Sequence, residues 1–222
     1  MSPKIYIGRK RKNDLAEIVK FKNEIKSNNE GYNYAKMIYK LDKNLFEESK
    51  YMILFGKEFA EKNKNKFKII VAGKEYEMVH MIYVKNFKKY GINKEDELLT
   101  VILNGETIKN MSYMFYDCKS LIKVDLSSFN TQNVKNMESM FGGCENLVKV
   151  DLSSFNTQNV ENMACMFSGC KSLIKVDLLS FNTQNLKEVE FMFYECENLI
   201  KVDFSSFNTQ NLKKNGNCFR KL

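Results

Sequence analysis

Asp125–Val150, DLSSFNTQNVKNMESMFGGCENLVKV, is followed immediately by two near copies of itself. Asp151–Val176 reads DLSSFNTQNVENMACMFSGCKSLIKV and Asp177–Val202 reads DLLSFNTQNLKEVEFMFYECENLIKV. A fourth copy opens at Asp203 with DFSSFNTQNLKK, and Ile108–Val124, IKNMSYMFYDCKSLIKV, matches the second half of a copy. The period is 26 residues. A fixed period of this size marks a repeat architecture in which each unit covers the apolar face of the next. A single unit cannot bury enough apolar surface to offset the entropy of ordering its chain, so units sharing one interior are expected.

Within a unit, Leu121, Val124 and Leu126 form L-x-x-V-x-L, a strand pattern that points Lys123, Asp125 and Ser127 to the opposite face. Phe129 and Asn130 turn the chain inward, and the asparagine is placed to satisfy loop backbone groups from unit to unit. Val134, Met137, Met140, Phe141 and Cys144 follow at offsets of 0, 3, 6, 7 and 10, one face of a short helix. Asn136 fits its N-cap and Gly142-Gly143 its stop. The expectation is an α/β solenoid, a leucine-rich-repeat-like array with parallel strands on one face and short helices on the other, preceded by a small α+β N-terminal cap domain.

DLSSFNTQNV, the N-M-x-x-M-F-x-x-C segment and the L-x-x-V after it resemble the BspA-like leucine-rich repeat family in its 26-residue "surface protein" repeat form. The likeness covers about Ile108 to Leu222. It implies a right-handed solenoid, and a repeat-built surface or secreted protein that binds other proteins, in some members as an adhesin.

The repeat aligns side chains into columns. Lys123, Lys149, Lys175 and Lys201 form one, and Asp125, Asp151, Asp177 and Asp203 form a second beside it. At a strand spacing of about 4.8 Å, like neighbours repel by about 1 kcal/mol in water, which diagonal lysine–aspartate pairs would offset. Leu179 replaces the serine found at Ser127, Ser153 and Ser205. These nine charged and apolar residues are the candidate partner-binding strip. On the other side run Tyr113, Ser139, Cys165, Phe191 and Tyr116, Gly142, Ser168, Tyr194. Cys118, Cys144, Cys170 and Cys196 recur with the period, as buried small hydrophobes, whereas Cys165 is the candidate exposed, reactive thiol.

Outward from the repeat, charge is uneven. The chain carries 35 basic and 27 acidic residues, net +8. Residues 1–98 hold 22 basic and 14 acidic residues and so account for the whole excess. Five of those basic residues lie in the first twelve, and Asn13–Lys26 has an amphipathic pattern, so a nucleic-acid or anionic-membrane contact is an alternative. Three segments follow: a basic stretch over 1–33, an α+β cap over 34–98, and the array over 99–222. Ala35–Leu41, Tyr51–Gly56 and Lys66–Val79 read as strands, the last a hairpin turning at Ala72-Gly73-Lys74. Leu98–Leu103 reads as a strand at the junction.

His80 is the single histidine and lies in the apolar run Met78–Ile82, with no phosphate loop, H-E-x-x-H or G-x-S-x-G elsewhere. No C-x-x-C pair suggests a metal. No enzyme, cofactor or metal is expected. The start lacks an apolar run of signal-peptide length, which favours a cytoplasmic protein. The functional expectation is a non-catalytic protein–protein interaction or scaffold module with a protein partner. The alternatives are an adhesin-like surface or secreted protein and an anionic-surface binder.

Overall fold

A computed structural model describes residues 32–46, 50–208 and 210–213, all within the unit Tyr32–Leu222. Residues 1–31 of the basic segment, with its expected helix over Asn13–Lys26, and Cys218 lie outside the described residues, whereas Tyr32 and Asn33 open the first strand.

The first strand, β1 (Tyr32–Lys40), is followed by β2 (Tyr51–Ile53), helix α1 (Lys57–Asn63), β3 (Phe67–Val71), β4 (Lys74–Glu77), β5 (Met81–Tyr83), β6 (Leu98–Glu106) and β7 (Leu121–Ser128). Five of these form one sheet in the order β4-β3-β6-β1-β7, with every pairing antiparallel. The period-2 pattern places Ala35, Met37 and Tyr39 on one face of β1. Leu99, Val101 and Leu103 on β6, Phe67, Ile69 and Val71 on β3, and Val124 and Leu126 on β7 join them in the buried core. Gly105 opposes Phe67 and lies so close that an added Cβ would sit 2.4 Å from the Phe67 ring. β2 and β5 make a separate antiparallel pair.

The seven residues of α1 carry the i,i+4 pairs Lys57–Glu61 and Glu58–Lys62 outward, and bury Phe59, Ala60 and Asn63. Gly56, just before it, donates its N–H to the Met114 carbonyl at 3.1 Å. A Cβ there would lie 1.9 Å from the Tyr113 carbonyl oxygen, so the approach requires glycine. No helix among the described residues is long and apolar enough to cross a membrane.

The α/β solenoid with a parallel-strand face and a helical face is overturned. The main sheet is antiparallel, and α1 is the one α-helix among the described residues. Among the described residues parallel pairing is confined to the two-residue strands β8 (Lys175–Val176) and β9 (Lys201–Val202) and to isolated bridges such as Asn136↔Asn162 and Lys149↔Lys175. Nor does a cap simply cover the first unit: β1 is hydrogen-bonded to both β6 and β7, so its segment and the first repeat strand share one sheet.

The reason lies in where the backbone amides go. A helix needs each N–H to reach the carbonyl four residues back. Here Met137, Ser139, Phe141 and Gly143 donate instead to Asn162, Ala164, Met166 and Ser168, each 25 residues ahead, at 2.7–2.9 Å. The amides between them turn back three residues, as in Met140→Met137, Gly142→Ser139 and Cys144→Phe141. Tyr113, Ser139, Cys165 and Phe191 adopt φ of 59°, 50°, 55° and 55°, the left-handed region that a right-handed helix excludes. Gly143 and Gly169 repeat this four residues later at φ 73° and 72°.

Side chains stack in the same step. Phe115, Phe141, Phe167 and Phe193 lie face to face with centroids 5.4, 5.4 and 5.3 Å apart. These separations exceed the strand spacing of about 4.8 Å and match offset stacking. Thr131, Thr157 and Thr183 are buried, and each hydroxyl serves the next unit twice. The Thr157 hydroxyl donates to the Asn182 carbonyl at 3.0 Å and accepts the Asn182 N–H at 2.8 Å. Asparagine, expected in this role, works partly within its own turn: Asn130 Oδ1 accepts the Gln132 N–H at 3.0 Å. Across units, the Asn159 side-chain amide donates to the Gln132 carbonyl at 2.8 Å.

The threonine column yields a prediction. Thr157→Val keeps the shape but strands a donor and an acceptor of Asn182, and is expected to cost about 1–3 kcal/mol. Thermal and denaturant melts of Thr157→Val beside Thr157→Ser measure this. Equal stability of the two variants would remove the hydroxyl from the account.

Candidate functional site

The outward side chains of the repeat form the candidate interface. Lys149, Lys175 and Lys201 are exposed and stand in adjacent parallel register. Lys123 is also exposed but lies on β7, opposite Ile38 of β1. Asp151 and Asp177 are exposed; Asp125 and Asp203 are half-buried. For Asp151, Asp177 and Asp203 the diagonal lysine–aspartate bridges expected between the columns are not among the ion pairs of the described residues.

Each aspartate instead closes a short turn. Its Oδ1 accepts the N–H two residues on: Ser127 at 3.1 Å, Ser153 at 3.0 Å, Leu179 at 3.1 Å and Ser205 at 2.9 Å. The Ser127 and Ser153 hydroxyls add bonds of 2.7 Å to Asp125 and Asp151. Aspartate suits such turns because its side chain reaches the backbone two residues ahead. The backbone bond from Ser153, then its hydroxyl, hold the Asp151 carboxyl below its usual range, with a smaller pull from Lys149; Ser205 and, more weakly, Lys201 do the same for Asp203.

Other ion pairs are formed between units. Glu161 lies 3.6 Å from Lys135 and 2.5 Å from Lys187, one period away on either side, and chiefly the Lys187 bond holds its carboxyl down. Lys119 and Glu145 pair at 3.0 Å.

Sequence reasoning missed an apolar column on the outer face. Val148, Ile174 and Ile200 are 45%, 44% and 82% exposed, beside Lys149, Lys175 and Lys201 in sequence. The signal was present as an aliphatic residue at the first x of every L-x-x-V: Ile122, Val148, Ile174 and Ile200. Leu179, expected on this face, is 53% exposed.

On the opposite side, Tyr113 and Tyr116 pair edge to face at 5.5 Å, and Phe191 and Tyr194 at 5.8 Å. Tyr113 donates its hydroxyl to Glu138 at 2.8 Å, and that bond, with burial, pushes the phenol to about 12. Cys165 is half-buried between these pairs, not openly exposed. Burial raises its thiol, Glu138 and Glu190 add to the rise, and a bond with Ser139 opposes it. A raised thiol carries less of the reactive thiolate at neutral pH than an ordinary one. The periodic cysteines are fully buried: Cys144, Cys170 and Cys196 donate to the carbonyls of Phe115, Phe141 and Phe167 at 3.0–3.1 Å. His80 Nδ1 donates to the Phe55 carbonyl at 2.5 Å, while its own carbonyl accepts the N–H groups of Leu54 and Phe55. Among the described residues no group of histidine, cysteine and carboxylate side chains is placed to hold a metal.

The lowered carboxyl of Asp151 has a defined pH consequence. A depressed native pKa contributes stability above the unfolded value, about 3.9, and that contribution is lost as pH falls through the native value. Removing the hydroxyl in Ser153→Ala is expected to move the Asp151 titration upward while leaving it below the usual range, because the backbone bond persists. Carboxyl-detected NMR titration reads both positions, and an unmoved titration would discount the hydroxyl.

No curated protein and no solved structure matches the chain. The family match begins at the end of β6 and takes in β7 and every repeat unit, residues 103–222, more than half of the sequence. Over that span the chain belongs to the family described as Mycoplasma protein of unknown function, DUF285.

Proposed function

We propose that this chain is a non-catalytic protein-binding module whose outward repeat face, centred on Lys149, Asp151, Lys175, Asp177, Leu179, Lys201 and Asp203, meets a protein partner. The observation carrying the reading is the aliphatic column Val148–Ile174–Ile200, left exposed beside a lysine column. Apolar surface set among charges at a fixed spacing is the composition of an interaction patch, and it is costly to keep in water without one. Glu145 and Glu161 bridge to lysines one period away, and the aspartates hold turns. Lys149, Lys175 and Lys201, in contrast, form no ion pair among the described residues. The resemblance of the repeat to BspA-like surface repeats supports the same class of function. His80, tied into the backbone, and Cys165, a raised thiol, give no support to a catalytic reading.

The fourfold substitution Lys149→Ala, Asp151→Ala, Lys175→Ala and Asp177→Ala tests it. Tagged wild type is expected to capture a defined protein set from its native cells, and the variant to lose most of it while still melting cooperatively, at a somewhat lower temperature because the Asp151 and Asp177 turns are lost. Identical recovery by both proteins would eliminate this face.

A further inference from the structure

We infer that the partner seated on this face is a second copy of the chain, turned about a two-fold axis that lies in the interface along the direction of unit stacking. The inference rests on the protein-binding reading and names the partner.

Charge decides the occupant. Lys149, Lys175 and Lys201 stand in one column, and Asp151, Asp177 and Asp203 stand two residues further along the same segments. None of the six belongs to an ion pair among the described residues. Each aspartate commits Oδ1 to its own turn, and its second oxygen is left to accept from elsewhere. Lysines and aspartates balance one for one, so the strip as a whole favours neither an acidic nor a basic partner. It is instead polar across its width, positive along one margin and negative along the other. A surface of that kind is complementary to itself after a half turn, which is the defining property of an isologous interface.

The same columns decide the axis. A half turn about the stacking direction sets each unit against its own counterpart and reverses the strand direction. With the axis over the midline between the columns, marked by Val150, Val176 and Val202, Lys149 faces Asp151 of the second copy, Lys175 faces its Asp177 and Lys201 its Asp203. Symmetry makes each of these contacts twice. A half turn about the strand direction would set lysine on lysine and aspartate on aspartate, which repel.

The exposed apolar residues agree independently of charge. Ile174 lies two residues before Val176 and Leu179 three residues after it, and both are exposed. The rotation exchanges the two ends of a unit, so Ile174 of each copy meets Leu179 of the other. The one-residue mismatch is about 3.3 Å along the strand, within the reach of the two side chains. Ser153 and Ser205 occupy the Leu179 position in the units on either side. The middle unit is therefore apolar at both ends, which gives the contact an apolar centre between more polar flanks. Three units at about 4.8 Å and six residues at about 3.3 Å span about 14 by 20 Å, well under the 800 Å² or so per partner of a standard interface. The dimer is accordingly weak, concentration-dependent and sensitive to salt.

Sedimentation velocity of the full chain over a concentration series tests this. A monomer–dimer equilibrium is expected, weakening at least about threefold as salt rises from about 0.1 M to about 1 M. Leu179→Ser, which restores the residue of the neighbouring units, should weaken it at least about tenfold, because two leucine contacts are lost per dimer. Two charge variants locate the axis: Lys149→Glu with Lys175→Glu, and Asp151→Lys with Asp177→Lys. Each variant alone should be monomeric, and an equimolar mixture should form a 1:1 heterodimer. The second variant lacks two turn bonds, so all runs are made well below its melting transition. A chain that stays monomeric throughout, a dimer indifferent to Leu179→Ser and to charge reversal, or a mixture that does not associate overturns the inference. If the chain is monomeric while the fourfold alanine variant still loses its captured proteins, the second copy alone is rejected and a foreign protein occupies the face. If that capture is also unaffected, the binding face falls with it.

Discussion

The fold rests on a backbone bargain struck once in every unit. Alternate amides from Met137 to Gly143 leave their own segment and bond to carbonyls 25 residues ahead, and the same exchange joins the amides of Met111–Asp117 to carbonyls of Asn136–Gly142 and those of Met163–Gly169 to carbonyls of Glu188–Tyr194. The intervening amides close tight turns three residues back. Reaching this pattern puts non-glycine residues at positive φ, at about 1–2 kcal/mol each. The bond to the next unit and the burial it brings offset that strain, which is why the conformation exists only in company.

The side-chain columns follow from that step. Phenylalanine rings stack, threonine hydroxyls bridge, and cysteine thiols reach the preceding unit's carbonyls. Each inward column is given to cohesion, and so are many outward charges, through Glu161 with its two lysines and the aspartates with their turns. What the stack leaves outward includes an aliphatic row, the lysines next to it in sequence and Leu179. A functional surface is easiest to see in a repeat protein after the residues that hold the copies together have been set aside.

Much of the interior was readable before any coordinates. Val134, Met137, Met140, Phe141 and Cys144 were assigned inward, and all are fully buried. Their local geometry was not readable. Offsets of 0, 3, 6, 7 and 10 fit one face of a helix, but successive three-residue turns bring the same side chains inward. The residues at the decisive left-handed position are tyrosine, serine, cysteine and phenylalanine, types that carry no local signature for positive φ. The antiparallel sheet was hidden for another reason: β1 meets β7 across more than 80 residues, a pairing no local pattern encodes. At the candidate interface the columns themselves were evident. The aspartate turns and the exposed aliphatic row are not legible there, because formal charge does not tell a carboxylate that closes a turn from one that faces a lysine.

β1 has a further role that emerges from the near identity of the copies. Sliding one unit past its neighbours by a whole period would exchange almost every hydrogen bond for an equivalent one, so the repeat by itself chooses its phase only weakly. The pairing of Met37 with both Val101 and Val124 is different, because it ties a non-repeated strand to one particular copy. That clasp breaks the degeneracy: it designates Leu121–Ser128 as the starting frame, and the remaining copies fall into sequence behind it. A chain with more or fewer copies could use the same clasp unchanged, making array length adjustable without redesigning the element that sets its origin.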